Sequence, residues 1–171
     1  MSTSSSLIPA TSLALAVDHD GPLCGIALLG PSGSGKSQTA LALITGCPFG
    51  RTRLIADDIT TLVAQDNYLV ATAPPEIHGK IELRGTGIAT VSEVEQRILH
   101  MAFRLGLSDD RQPDTPAPWA PLGEAYPTVP EYRWQPGRQG LMVFARAVLS
   151  GHSRRAGFDT IPASSGKDAA S

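Results

Sequence analysis

Gly30-Pro31-Ser32-Gly33-Ser34-Gly35-Lys36-Ser37 brings glycines, a lysine and hydroxyls into one short stretch, and it constrains the chain more than any other feature. Gly30, Gly33 and Gly35 let the backbone curl until successive N–H groups face inward, which makes a nest for an anion. A helix that starts directly after such a loop adds its positive dipole end. Lys36 can then reach the outer phosphates of a nucleoside triphosphate, and the Ser37 hydroxyl can ligate Mg²⁺. The flanks fit: the apolar run Gly25–Leu29 predicts a buried strand entering the loop, and Gln38–Thr45 predicts a helix leaving it, stopped by Gly46 and Pro48. The whole stretch from Gly30 and Pro31 to Ser37 is therefore read as a P-loop that binds a nucleoside triphosphate.

A strand before the loop and a helix after it predict an α/β domain. The run Leu13–Val17, closed by Asp18-His19-Asp20-Gly21, is expected to pair with the strand that enters the loop. The helix face is expected at Ala40, Leu41 and Ile44. Arg53–Ala56 reads as a strand ending on Asp57-Asp58, where a carboxylate can face the metal at the carboxyl end of a sheet. Adjacent residues of a strand point to opposite sides, so one acid can serve the metal while the other acts as a base. Ile59–Ala64 and Tyr68–Ala73 form a second hairpin candidate. Leu99, Met101, Phe103 and Leu105 alternate with His100, Ala102 and Arg104 and predict a strand, with a helix opened by Ser92-Glu93-Val94-Glu95 as the alternative. Asp109–Pro130, rich in proline, predicts loop, and Gly140–Leu149 predicts helix, with strand as the alternative.

Composition removes several alternatives. A net charge of -2 gives no support for nucleic-acid binding. No apolar run approaches the ~20 residues needed to span a bilayer. The two cysteines, Cys24 and Cys47, match no metal spacing and predict no disulfide, which suits a cytoplasmic setting. His19, His78, His100 and His152 do not cluster. Trp119, Tyr126, Tyr132 and Trp134 read as packing groups. Met1–Ser6 is expected to be floppy. Residues 1–150 are expected to form the catalytic domain, and 151–171 a flexible tail.

The motifs together go beyond a generic P-loop. The loop, then Ala56-Asp57-Asp58, then Glu82-Leu83-Arg84-Gly85-Thr86-Gly87-Ile88 resembles the catalytic domain of the HPr kinase/phosphorylase family. Arg133-Trp134-Gln135-Pro136-Gly137-Arg138-Gln139 is similar to a further segment of that family, so the resemblance runs from about Leu7 to Leu149. It is to the short, alphaproteobacterial form, which lacks an N-terminal domain.

The resemblance implies a P-loop kinase fold with a mixed sheet, related to phosphoenolpyruvate carboxykinase. It implies transfer of phosphate from ATP to a serine of the phosphocarrier HPr, and a hexamer. Matched position by position, Ser37 and Glu82 would hold Mg²⁺ and Asp58 would accept the proton of the serine hydroxyl, with Asp57 beside it. Lys36 would meet the phosphates, and Arg84 would orient the partner or the phosphoryl group. Arg111 would be a catalytic arginine and Arg138 would serve the reverse reaction. Pro9 stands where the family has a histidine, and Gln135 where it has an arginine, which implies weaker phosphorylase than kinase activity. His19 would compensate only if its turn folded back over the loop. The rivals are a small-molecule P-loop kinase, disfavoured because Asp109–Pro130 holds only Arg111, and a non-catalytic ATP-binding regulator.

Overall fold

The computed structural model describes residues 4–76, 78–106, 116–135 and 140–155, with side chains in the last segment described as far as Leu149. The chain opens with strands β1 (Ser5–Pro9), β2 (Thr11–Leu15) and β3 (Cys24–Leu29), followed by helix α1 (Lys36–Thr45). β4 (Arg53–Ala56), β5 (Ile59–Gln65) and β6 (Tyr68–Thr72) come next, then β7 (Lys80–Leu83) and β8 (Gly87–Thr90). The long β9 (Gln96–Leu105), β10 (Ala117–Trp119), β11 (Val129–Trp134) and α2 (Leu141–Arg155) complete the order.

Nine strands form one mixed, curled sheet in the order β1-β5-β6-β9-β3-β2-β4, with β11 joined to β9 and β10 to β11; β7 and β8 form a separate two-stranded ribbon. β9 is the hub. Its first residues pair antiparallel with β6, and its later ones pair parallel with both β3 and β11. Leu29, Arg104 and Arg133 are aligned across the three parallel strands, so β3, β9 and β11 end together. β4 is antiparallel to β2, which is antiparallel to β3, so β4 ends at that same side. Four strand ends thus converge where a ligand crevice forms in such sheets.

Every residue of β3 is buried because the sheet is covered twice. Ile26 and Leu28 join Leu13, Met101, Phe103 and Leu105 under both helices, with Ala40, Leu43, Leu141 and Ala145. Ala27 and Leu29 face the other way, against Leu62, Leu69 and Ala71 of the curled part of the sheet. That second core is rich in alanine, and small side chains let the two parts of the sheet approach closely. Tyr132, Trp134 and Phe144 surround Phe103, with ring centroids 5.8, 6.2 and 6.2 Å from it; Tyr132 and Trp134 are packing groups, as expected, partly buried against the core.

Several expectations are corrected by pairing. Ser5 and Ser6, expected to be floppy, lie in β1 against Leu62 and Val63 of β5. Backbone groups alone satisfy that edge, so a serine run suffices. Part of the expected loop Asp109–Pro130 is strand: Pro118 of β10 faces Pro130 of β11. Pro130 lies just before the β11 residues that bond β9, so neither ring removes a donor the sheet needs. The expected face of α1 packs on the core, with Ala40 buried and Leu41 and Ile44 partly buried, but the fully buried set also takes in Leu43 and Lys36, which is drawn inward at the loop. Finally, α2 continues to Arg155, so the boundary expected at 150/151 falls inside a helix.

Both thiols are free and buried. Burial, then the charge of Asp18, pushes Cys24 up to about 11. Burial also pushes Cys47 up, but a hydrogen bond from the Thr52 side chain and others from the backbone of Arg51, Phe49 and Thr52 outweigh it and bring the thiol down to about 7. The thiolate is the nucleophile, so alkylation of Cys47 should rise as pH passes 7, while Cys24 stays unreactive below pH 10. Mass spectrometry of iodoacetamide-treated native protein checks this; equal labelling of both thiols at pH 8 would contradict it. A second expectation concerns Gly25, where a Cβ would lie 2.2 Å from the carbonyl oxygen of Ile98, at the point where the β3–β9 register shifts. Because the clash is with backbone, Gly25→Ala should cost ~1–3 kcal/mol or more, read as a lower denaturant midpoint.

Candidate active site

The loop between β3 and α1 owes its shape to its glycines. Gly30, Gly33 and Gly35 have φ of 139°, 83° and 92°, values that favour glycine. A Cβ on Gly30 would also meet Leu105 O and Ser34 Oγ, each at 2.7 Å. Gly35 caps α1 without any side-chain bond, so the first N–H groups of the helix stay open toward the loop. Lys36, only 7% exposed, folds inward and donates from Nζ to Gly30 O at 2.7 Å and Pro31 O at 3.0 Å. An ammonium held on two carbonyls is desolvated and available to a stronger acceptor such as phosphate. The missing Cβ, the open amides and the inward lysine all suit a polyphosphate.

The two acids after β4 part company. Asp57 is 6% exposed and its carboxylate is surrounded by donors. Oδ1 accepts from Thr11 Oγ1 at 2.9 Å and from Ser37 Oγ at 2.8 Å, and Oδ2 accepts from the Glu82 N–H at 3.3 Å. Asp58 is exposed and has φ of 69°, in the left-handed region that L-residues seldom occupy. Ile59 N donates to Asp57 O at 2.8 Å across it, which closes a tight three-residue turn. The turn leaves one carboxylate buried against the loop helix and the other open to the cleft.

The β7–β8 ribbon forms the opposite wall. Lys80 and Glu82 sit two residues apart and so share a face of β7, and both line the cleft. Arg84 follows and donates from Nη2 to Ser32 Oγ at the loop tip. Lys36, Ser37, Asp57, Asp58, Glu82 and Arg84 line a single cleft of about 490 Å³. A second hollow of about 450 Å³ lies beside the loop, lined by Pro31, Ser32, Gly33, Ser34 and Gly106.

The structure brings most of the sequence-derived set together, across wide separations in the chain. Arg111 and Arg138 lie outside the described residues. Gln135 follows the end of β11, at the side of the sheet where the loop emerges. Pro9 lies in β1 opposite Ile59, next to the Asp58 turn. His19 does not compensate for it: the turn before β3 is at the far end of that strand, where His19 packs on Phe49 with ring centroids 4.7 Å apart. Sequence reasoning missed Thr11 and Lys80. The alternation from Glu82 could have flagged Lys80, whereas Thr11 is 46 residues from Asp57 and no spacing connects them.

The cleft's carboxylates and hydroxyl are hard oxygen donors, which suit Mg²⁺. Among the described residues no group of three or more His, Cys, Asp and Glu side chains could hold a metal. Mg²⁺ commonly takes one or two protein oxygens and completes its shell with water and substrate phosphates, so this donor set fits it. No described helix is long and apolar enough to cross a membrane.

Comparison with known proteins agrees with this geometry. Residues 18–96 match the family model described as "HPr Serine kinase C-terminal domain". The HPr kinase/phosphorylase of Clostridium botulinum is 41% identical over 70 residues, which cover 41% of this chain and 22% of that protein. The HPr kinase/phosphorylase of Clostridium novyi is 33% identical over 105 residues, 50% of this chain and 33% of that protein. The chain thus spans between 22% and 33% of the length of these two curated relatives. Among solved structures, the Hpr(Ser) kinase/phosphatase from Coxiella burnetii superposes with a TM-score of 0.66 at 22% identity, covering 87% of this chain and 97% of that one, and so shares the α/β fold. The matched residues 18–96 span the loop, the acid pair and the ribbon, so the part of the chain that builds the cleft is similar to the HPr kinase C-terminal domain.

Proposed function

We propose that the chain is an ATP- and Mg²⁺-dependent serine kinase acting on the phosphocarrier HPr, with a weaker phosphorylase activity. The observation that carries this reading is the placement of Asp58, exposed and held at positive φ, in the same cleft as Lys36 and Ser37. We read the Gly30–Ser37 loop as a P-loop and the fold as related to phosphoenolpyruvate carboxykinase. Residues 1–150 are read as the catalytic domain, working in the cytoplasm as part of a hexamer.

Phosphoryl transfer asks a protein for positioning and charge neutralisation. The loop amides and the α1 terminus would hold the triphosphate. Lys36 would exchange its two carbonyl partners for phosphate oxygens. Ser37 and Glu82 would hold the metal, with Asp57 fixing the Ser37 hydroxyl from behind. When bound, Mg²⁺ supplies neutralisation of the charge on the phosphate oxygens. Asp58 would take the proton of the incoming seryl hydroxyl as the new O–P bond forms and the bond to the ADP oxygen breaks. Arg84 is near enough to the loop tip to follow the transferring group, and Arg111 and Arg138 remain candidates for the forward and reverse steps.

The test is transfer of labelled phosphate from ATP to HPr. Asp58→Asn should lower kcat by about 10²–10⁴-fold while leaving ATP binding intact. Lys36→Ala should lower turnover by at least ~10²-fold, because a donor aimed at developing charge is lost. ATP binding by the wild type without transfer to any seryl protein would identify a nucleotide-dependent regulator instead.

The balance of directions gives a separate expectation. Phosphorolysis must bring inorganic phosphate up to a phosphoserine, and a bidentate guanidinium relieves that repulsion better than an amide. Gln135→Arg should therefore raise the phosphorolysis rate relative to the phosphorylation rate. An unchanged ratio would show that this position does not set the balance.

A further inference from the structure

Asp58 sits in a conformation that an L-residue does not hold unaided, so something must hold it. The holding groups come from the β1–β2 junction rather than from its own strand. Ala10 N donates to Asp58 O at 3.0 Å, and Asp58 N donates to Thr11 Oγ1 at 3.3 Å, so both sides of this residue are gripped. The same Thr11 hydroxyl donates its proton to Asp57 Oδ1 at 2.9 Å. One oxygen therefore fixes the carboxylate of the first acid and the backbone of the second. Thr11 is fully buried at the start of β2, and its neighbours lock it in turn. Thr60 Oγ1 donates to Ala10 O at 2.9 Å and lies 2.9 Å from Ser12 Oγ.

We propose that Thr11 is a positioning residue for phosphoryl transfer: its hydroxyl sets the Asp57–Asp58 turn, and so aims the Asp58 carboxylate. The inference rests on the reading of Asp58 as the proton acceptor. Thr11 does not line the cleft, so it acts only through the two acids. It also lies before residues 18–96, the segment that matches the family model. The hydroxyl is the part that matters: it alone both donates and accepts here, whereas the methyl group only fills space.

Two substitutions separate these parts. Thr11→Val keeps the shape and removes the hydroxyl; Thr11→Ser keeps the hydroxyl and removes the methyl. Thr11→Val should lower kcat for phosphate transfer by on the order of 10- to 100-fold, the scale of a misplaced reacting group, with the KM for ATP unchanged. Thr11→Ser should retain most of the activity. Hydrogen exchange, followed by NMR on each folded variant, gives a readout independent of turnover. Asp58 and Ile59 amides should exchange faster in Thr11→Val than in the wild type or Thr11→Ser.

Thr11→Ala serves as the hydroxyl-free variant should Thr11→Val fail to fold. A purely packing role predicts the reverse order, with serine worse than valine, and that result overturns the proposal. So does faster exchange without any fall in kcat, or no change in exchange. A wild type that transfers no phosphate to a seryl protein defeats the kinase reading and the catalytic part of this inference together. In that case the amide exchange still decides separately whether the Thr11 hydroxyl holds the turn.

Discussion

The buried carboxylate of Asp57 is the constraint on which the site depends. A charge 94% removed from solvent exposure must be met by donors or it costs several kcal/mol. Three distant parts of the chain meet it: Thr11 from β2, Ser37 from α1 and the Glu82 amide from the β7–β8 ribbon. None of these donors is charged, so each must be held at hydrogen-bonding distance by the fold itself. The bond to Ser37 ties the acid to the glycine-rich loop, and the bond to Glu82 ties it to the ribbon across the cleft. The geometry of the cleft and the local stability are therefore the same set of contacts.

This arrangement needs a rigid platform, and the sheet supplies it. β3 is buried on both faces, with helices on one side and the curled β5–β6 part of the sheet on the other. Its end, which delivers Gly30, cannot move without disturbing both cores. β9 lies beside it and closes the back of the loop, since Leu105 O sits where a Gly30 Cβ would be. The positive-φ backbone of the site itself, at the glycines of the loop and at Asp58, lies where this platform backs it. A non-glycine residue at φ of 69° is tolerated there because the neighbouring strands satisfy both its N–H and its carbonyl.

Much of the site was legible in the chain because its parts are local. A P-loop pattern specifies its own backbone through glycine, and its helix through the residues that follow. The acid pair was recognisable because it closes an apolar strand, and the strand character of Gln96–Leu105 because its apolar residues alternate. Reading failed where an element depends on a partner. β1 is a serine-rich edge whose residues carry no strand signal; it forms because β5 offers unpaired backbone groups. β10 and β11 contain prolines that argue for loop, yet their register sets Pro118 opposite Pro130, where no ladder bond to β9 is lost.

The sequence by itself determined the groups on offer: a glycine-rich loop, a lysine and hydroxyl at its helix, two adjacent carboxylates and a glycine-rich ribbon carrying Glu82 and Arg84. These follow from short-range rules, because spacing within a strand, turn or helix start fixes what the backbone can do. Only the tertiary structure decided which acid is buried and which is free. That choice turns on a hydroxyl of Thr11, 46 residues from Asp57 in the chain, and on a turn whose φ no strand propensity would favour. A hydrogen bond between residues so far apart leaves no periodic trace, since it exists only after β2 and β4 have paired.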